Sequence, residues 1–230
     1  VSLLDGDFNV LSSLDTGNDG EVTAGFEAAG SYWIKVQTST SSYYDSGVYG
    51  ITASLDTAIG RSETEGNNTI ATADQLTAGT QLKGQLSSKS DVDYYKYTTS
   101  GAALLNLSFD LPTDISYIDY FSIQVLDSSG NTLSGVVVGQ DGSLKASVSE
   151  AGTYFVKVAV ANSSYHDSGQ YGLTLTESAY TSNYESEPNG YGAYGDLVTN
   201  NQKMSGQLKS KDDVDFYYID ATAAGTLSVS

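Results

Sequence analysis

Residues 3–36, LLDGDFNVLSSLDTGNDGEVTAGFEAAGSYWIKV, return at residues 125–158 as VLDSSGNTLSGVVVGQDGSLKASVSEAGTYFVKV, with no insertion or deletion. Lys35 falls on Lys157. SSYYDSGVYGIT, further on, falls on SSYHDSGQYGLT, so Tyr49 matches Tyr171 at an offset of 122 residues. That spacing is the size of a domain and exceeds the roughly 20 to 50 residues of a solenoid unit. The same offset carries ETEGNN at Glu63 onto ESEPNG at Glu185, and GQLSSKSDVDYYKY at Gly84 onto GQLKSKDDVDFYYI at Gly206. One unit is therefore complete, residues 63–184. Residues 1–62 read as the C-terminal part of a preceding unit, and 185–230 as the N-terminal part of a following one. The two parts together lack only the counterpart of FDLPTDISYIDYFS, Phe109 to Ser122. A chain that begins inside a strand reads as a window onto a longer tandem array.

Within the unit, runs of period two rich in Val, Ile, Tyr, Phe and Thr alternate with clusters of Gly, Asn, Asp and Ser. DYYKYTT, ALLNLSFDL, DYFSIQVLD, GSLKASV, GTYFVKVAV and QYGLTLT are expected strands. DSSGN, GQDG and EAG between them supply residues that accept positive φ or make Asx turns, which suits antiparallel hairpins. NNTIATADQL alone has a helical look, a short turn capped by Asn or Thr. Strands with one apolar face bury it by stacking two sheets, so the expected fold is an all-β antiparallel sandwich.

Composition narrows the chemistry. The 230 residues carry 28 Asp plus Glu against 10 Lys plus Arg, a net charge of −18 that repels nucleic acid and anionic lipid and attracts divalent cations. There is no Cys and one His, His166, so thiol nucleophiles, disulfides, thiolate metal sites and nearly all His-dependent acid–base chemistry are excluded. No apolar run reaches the roughly 18 to 20 residues of a membrane span. The opening residues VSLLDGDFNV carry no basic or apolar signal region, so any export signal is expected outside this stretch.

The order E-x-E-x-N, A-x-x-L, G-x-L, D-V-D-Y-Y, an L-x-D-x-x-G-N turn, A-G-x-Y-x-x-K-V and a closing D-S-G-x-Y-G-L resembles the bacterial pre-peptidase C-terminal domain. The resemblance covers the complete unit and both partial ones. It implies a jelly-roll-like sandwich of the kind appended to secreted peptidases, repeated in large surface proteins and similar to the collagen-binding domains of clostridial collagenases. In calcium-binding members the acidic segment before the first strand and the D-x-D region supply oxygen ligands. The matching positions here are Glu63, Glu65, Asn67, Asn68, Asp91 and Asp93, and in the following unit Glu185, Glu187, Asn189, Asp213 and Asp215. Gly190 stands opposite Asn68 and removes one side chain from that second set. The chemistry agrees: Ca²⁺ takes about six to eight hard oxygens, and crowded carboxylates repel one another without a cation. The competing expectation is that Asp91 and Asp93 make Asx turns while the glutamates sit solvated on a linker.

Other motifs weigh less. Asp15-Thr16-Gly17, Asp45-Ser46-Gly47 and Asp167-Ser168-Gly169 spell the aspartic-peptidase triplet, but the first becomes Val137-Val138-Gly139 in the other copy and the latter two lack the apolar strand such a site needs, so all are expected turns. Asp5, Asp7 and Asn9 imitate the start of an EF-hand loop, but Val10 occupies the glycine position and Thr16 that of the bidentate Glu. His166 lies opposite Tyr44, so the imidazole is not shared between copies. Tyr43, Tyr44 and Tyr165 precede a turn, where exposed hydroxylated aromatics would suit a peptide or glycan, or else cap the sandwich edge.

The sequence thus points to a non-catalytic, calcium-stabilised tandem sandwich of a secreted or cell-surface bacterial protein, acting as stalk, adhesin or filament. Its partners are then neighbouring repeats, or copies of itself meeting head to tail. The alternative is a peptide- or carbohydrate-binding accessory domain of a secreted hydrolase.

Overall fold

The computed structural model describes residues 1–17, 19–26, 28–38, 47–55, 62–112, 120–162, 166–167, 169–208 and 212–230. In chain order its strands are β1 (Ser2–Leu4), β2 (Val10–Ser13), β3 (Trp33–Lys35), β4 (Asp74–Gln75), β5 (Gln81–Gly84), β6 (Val92–Thr99) and β7 (Ala103–Asp110). There follow β8 (Phe121–Leu126), β9 (Thr132–Val138), β10 (Gly142–Val148), β11 (Gly152–Val160), β12 (Tyr171–Ala179), β13 (Asp196–Leu197) and β14 (Tyr217–Tyr218). The helical look of NNTIATADQL resolves to one 3₁₀ turn, Ile70–Thr72, entered from Thr69 in extended backbone.

Strands β4 to β12 build a β-sandwich. One sheet has the order β10-β7-β12-β5 and the other β4-β6-β11-β8-β9, antiparallel except for the β4–β6 pair. The alternation read from the sequence is what makes this possible. On β7 Leu105, Leu107 and Phe109 turn inward, and on β12 Tyr171, Leu173 and Leu175 do so. Phe121, Ile123 and Val125 of β8, with Val156 and Val158 of β11, face them from the second sheet. Pairing fixes rows across each sheet: Val156 stands opposite Tyr95 and Val125, and Leu173 opposite Phe109 and Leu82. Each fully buried large apolar side chain contributes about 1.5–3 kcal/mol, so a row of three dominates anything the polar face supplies. A smaller cluster, Ala73, Leu126 and Phe155, lies on the outer face under the 3₁₀ turn.

The segments on either side repeat pieces of this pattern. β1 pairs with β2 and β3 in the register in which β8 pairs with β9 and β11, including the irregularity between Leu3 and Leu4 that returns between Val125 and Leu126. The parallel pair β13–β14 matches β4–β6, and the bridge Ser62–Lys83 returns as Tyr184–Ser205. What differs is cover. Trp33, Tyr49 and Leu227 are 49%, 67% and 66% exposed, whereas Phe155, Tyr171 and Leu105, each 122 positions away, are 7%, 1% and 1%. Core-type side chains therefore stand bare in both flanking segments.

Candidate metal centre

The acidic segment is led into the sandwich by backbone pairing. Glu63 donates its N–H to the Lys83 carbonyl, and Tyr94 donates to the Asn67 carbonyl, so the segment runs as an extra edge across β5 and β6. Asp74, at the start of β4, straps the loop from the other side by accepting from the Thr64 N–H at 2.7 Å and from Asn67 Nδ2 at 3.3 Å. On β6, alternation turns Asp93 and Tyr95 inward. Asp91, just before that strand, braces its own loop, accepting from the Ser87 N–H and hydroxyl and, through Oδ1, from the Val92 N–H.

One carboxylate oxygen each of Glu65, Asp91 and Asp93 lies within 4.8 Å of the others. Two ligands held about 2.3–2.6 Å from a single Ca²⁺ can stand no further than about 5 Å apart, so the spacing fits one hard cation. Asn67 Oδ1, Asp93 Oδ1 and Glu65 Oε1 are buried with no hydrogen-bond donor, in a molecule whose other buried oxygens nearby are well supplied. A buried acceptor without a partner costs about 1–3 kcal/mol, which a cation would relieve. Burial, then the charges of Asp91 and Glu63, push the Glu65 carboxyl up to about 8. Burial and the Glu63 charge push Asp93 well above its ordinary range. The group as it stands resists becoming fully ionised, and a divalent ion would reverse that. Glu65, Asp91 and Asp93 could therefore hold a metal ion, with Asn67 as a neutral fourth oxygen.

Of the other two residues grouped with these ligands on sequence, Asn68 is exposed and lines the same cavity as Glu65 and Asp91. Glu63 is buried and both its oxygens are taken: Oε1 by the Gln85 N–H at 2.5 Å, Oε2 by the Tyr95 hydroxyl at 2.5 Å and by Asn67 Nδ2 at 3.3 Å. Glu63 is thus a hub that ties the loop to the core. From it a row of four oxygens crosses the sandwich. Tyr95 and Tyr171 hydroxyls stand 2.6 Å apart, and the Tyr171 hydroxyl donates to Asp93 Oδ2. Three contacts need three protons, and the two hydroxyls supply two. A third proton would have to sit on a carboxyl and reverse the donor at that end of the row; burial raises Glu63 to about 7. Gly84 leaves room for the row, since a Cβ there would lie 2.4 Å from the Tyr95 hydroxyl and 2.5 Å from that of Tyr171.

The arrangement recurs 122 residues on. Glu187, Asp213 and Asp215 bring one oxygen each within 4.8 Å, and Asn189 Oδ1 and Asp215 Oδ1 are buried without a donor. Asn189 Nδ2 bridges Glu185 and Asp196 as Asn67 bridges Glu63 and Asp74. Tyr217 donates to Glu185 at 3.0 Å, and burial raises Glu185 to about 7. Glu185 also accepts from the Gln207 N–H.

Asp74, Asp196, Gln85 and Gln207 belong to no ligand motif in the sequence, although each pair recurs at the same offset, and that recurrence is the available signal. Tyr43, Tyr44 and Tyr165 lie outside the described residues. His166 is half-buried with Nε2 2.9 Å from the Leu86 carbonyl, and Asp167 accepts from the Gly169 N–H in a turn. Asp5 accepts from the Asp7 and Asn9 N–H groups, so the EF-hand-like stretch is a hairpin turn, matched by Asp127.

No family profile matches the chain, and no curated protein does. Among solved structures, the chain is similar to the pre-peptidase C-terminal domain of a collagenase from Bacillus anthracis. The match is 18% identical, covers 45% of this chain and 94% of that one, and has a TM-score of 0.37. It is the family that the order of residues in the sequence resembles. A periplasmic inhibitor of g-type lysozyme from Aeromonas hydrophila is similar at 12% identity, covering 46% of this chain and 97% of its own, with a TM-score of 0.36.

Proposed function

We propose that the chain is a run of copies of one non-catalytic sandwich module from a secreted or cell-surface protein, stiffened by Ca²⁺ and serving as a stalk, adhesin or filament segment. The observation that carries this reading is the pair of buried oxygens without donors, Asn67 Oδ1 and Asp93 Oδ1, beside the carboxylates of Glu65 and Asp91. The same set recurs at Asn189, Asp215, Glu187 and Asp213. Oxygen-only ligands of this charge suit Ca²⁺, and extracellular modules bind it with dissociation constants near 10⁻⁴–10⁻³ M, matched to the medium outside cells. The cation supplies charge neutralisation and cross-linking of loop to strand; Asn67 and Glu65 orient the loop, Asp93 anchors it to the core. A chain with one half-buried imidazole and carboxylates arranged to hold an ion offers scaffold in place of turnover.

The test is thermal unfolding of the 230-residue chain with Ca²⁺ and with chelator, beside Tb³⁺ luminescence sensitised by the nearby tyrosines. A melting temperature raised by Ca²⁺, and saturable luminescence lost in Asp93→Asn with Asp215→Asn, supports the reading. An identical melting temperature under chelation overturns it.

A further inference from the structure

The Glu63 hub reaches outside its own sandwich. Gln85, 1% exposed, uses its backbone N–H to hold Glu63 Oε1 and its side-chain amide to hold the preceding segment. Oε1 accepts from the Ser12 hydroxyl at 2.6 Å, and Nε2 donates to the Ser13 carbonyl at 3.2 Å. Both partners lie on β2. At the other end of the sandwich the same construction returns: Gln207 Oε1 accepts from the Ser134 hydroxyl at 3.2 Å, and Nε2 donates to the Gly135 carbonyl at 3.2 Å. Those partners lie on β9, the counterpart of β2, and the Gln207 N–H holds Glu185. A side-chain amide is spending both its donor and its acceptor on two consecutive residues of a strand, as a neighbouring strand would. Ser12 and Ser134 are the same residue type, whereas Ser13 and Gly135 differ and are contacted only through the backbone.

We propose that Gln85 and Gln207 are clamps that lock each acidic site to the hairpin of the module before it, so that copies of this module meet in one repeated geometry. The surface offered by Ser134 and Gly135 is then a docking face for the Gln207 segment of another copy of the same module. The proposal rests on the reading of the chain as successive copies. A second contact belongs to the first junction alone: Gly25 donates to the Glu63 carbonyl at 2.6 Å, where a Cβ would lie 2.2 Å from that oxygen, whereas its counterpart Ser147 lies within β10. A cavity of about 520 Å³ is lined by Asp5, Asn9 and Val10 of the preceding segment together with Glu65 and Asp91, so that segment and the acidic site share a wall. One glutamine thus joins three things that would otherwise be independent: the loop that carries the ligands, the end of β5, and the neighbour. Interfaces between domains of one chain are ordinarily loose unless specific contacts fix them, and this amide is such a contact.

The native chain has no cysteine, so introduced pairs can be labelled cleanly. Nitroxides at Glu21→Cys and Thr98→Cys report the first junction, and at Thr98→Cys and Lys203→Cys the second. Gln85→Leu keeps the volume and removes the amide; it is expected to widen the first distance distribution by about twofold and leave the second unchanged, with Gln207→Leu doing the reverse. Ser12→Ala and Ser134→Ala, which remove one bond from outside the glutamine's own strand, test the same contact should a leucine variant not fold. Distributions unmoved by all four changes, or already broad in the parent chain, overturn the clamp. Tb³⁺ luminescence on the same samples separates the two readings: narrow, glutamine-dependent distances without metal binding sink the cation and leave the clamp standing, and bound metal with glutamine-independent distances does the opposite.

Discussion

The hydroxyls of Tyr95 and Tyr171 meet at 2.6 Å although the two residues belong to different sheets, Tyr95 on β6 and Tyr171 on β12. They are a polar staple through an otherwise apolar core, and its two ends are the buried carboxyls of Glu63 and Asp93. Phe121 packs edge-on against the Tyr171 ring with centroids 5.9 Å apart, which fixes the ring and hence the hydroxyl.

Removing one hydroxyl strands a carboxyl. Tyr171→Phe keeps the packing against Phe121 but leaves Asp93 Oδ2 without its donor, and is expected to cost about 1–3 kcal/mol in urea denaturation. Combining it with Asp93→Asn should recover part of that loss, giving a coupling energy in a double-mutant cycle. A strictly additive pair would refute the staple.

Stability of the metal-free chain should fall as pH rises. Burial raises the Glu63 carboxyl from 4.5 to about 7 and Glu65 from 4.5 to about 8. A carboxyl whose folded value is raised stabilises the fold fully below its ordinary value, and that contribution is lost as pH climbs through the raised one. For Glu63 the change is on the order of a few kcal/mol. Melting temperatures in chelator should therefore drop between about pH 5 and 8, and saturating Ca²⁺, which needs ionised ligands, should flatten or invert the slope.

Gly84 is required for space. Gly84→Ala places a methyl group on both tyrosine hydroxyls and is expected to destabilise by about 1–3 kcal/mol, as overpacking does. The measurement is the denaturation midpoint, with Gly101→Ala, where a Cβ meets nothing within 4 Å, as the comparison.

Metal stoichiometry should follow the two acidic sets separately. Titration calorimetry is expected to give two sites, falling to one in Asp93→Asn and to one in Asp215→Asn. Glu63→Gln should keep both sites while lowering the melting temperature, because Glu63 receives donors from Gln85, Tyr95 and Asn67.

The strands that sequence alternation exposes are those with long inward rows, such as Leu105-Leu107-Phe109 on β7. β5 and β9 escaped it: β5 is four residues long, and β9 carries Ser134 and Gly135 where a periodic strand would carry bulk. At the site, Glu65, Asp91 and Asp93 are legible because carboxylates recur at one offset in a pattern that a hard cation needs. The different task of Glu63 is not, because E-x-E presents two identical groups and only the pairing of Glu63 with Lys83 turns one of them into the core. Asp74 and Gln85 are invisible to motif reading since each acts on a group that only the fold brings near, the Thr64 N–H ten residues away and the Glu63 carboxylate twenty-two residues away.

The half-exposed Trp33 is the chain's single tryptophan and sits where Phe155 is covered in the central sandwich. Its indole is therefore an intrinsic optical reporter: a polypeptide that lays over it the counterpart of the turn carrying Ile70 and Ala73, which covers Phe155, would shift its emission to the blue and shield it from quenchers, with no label attached.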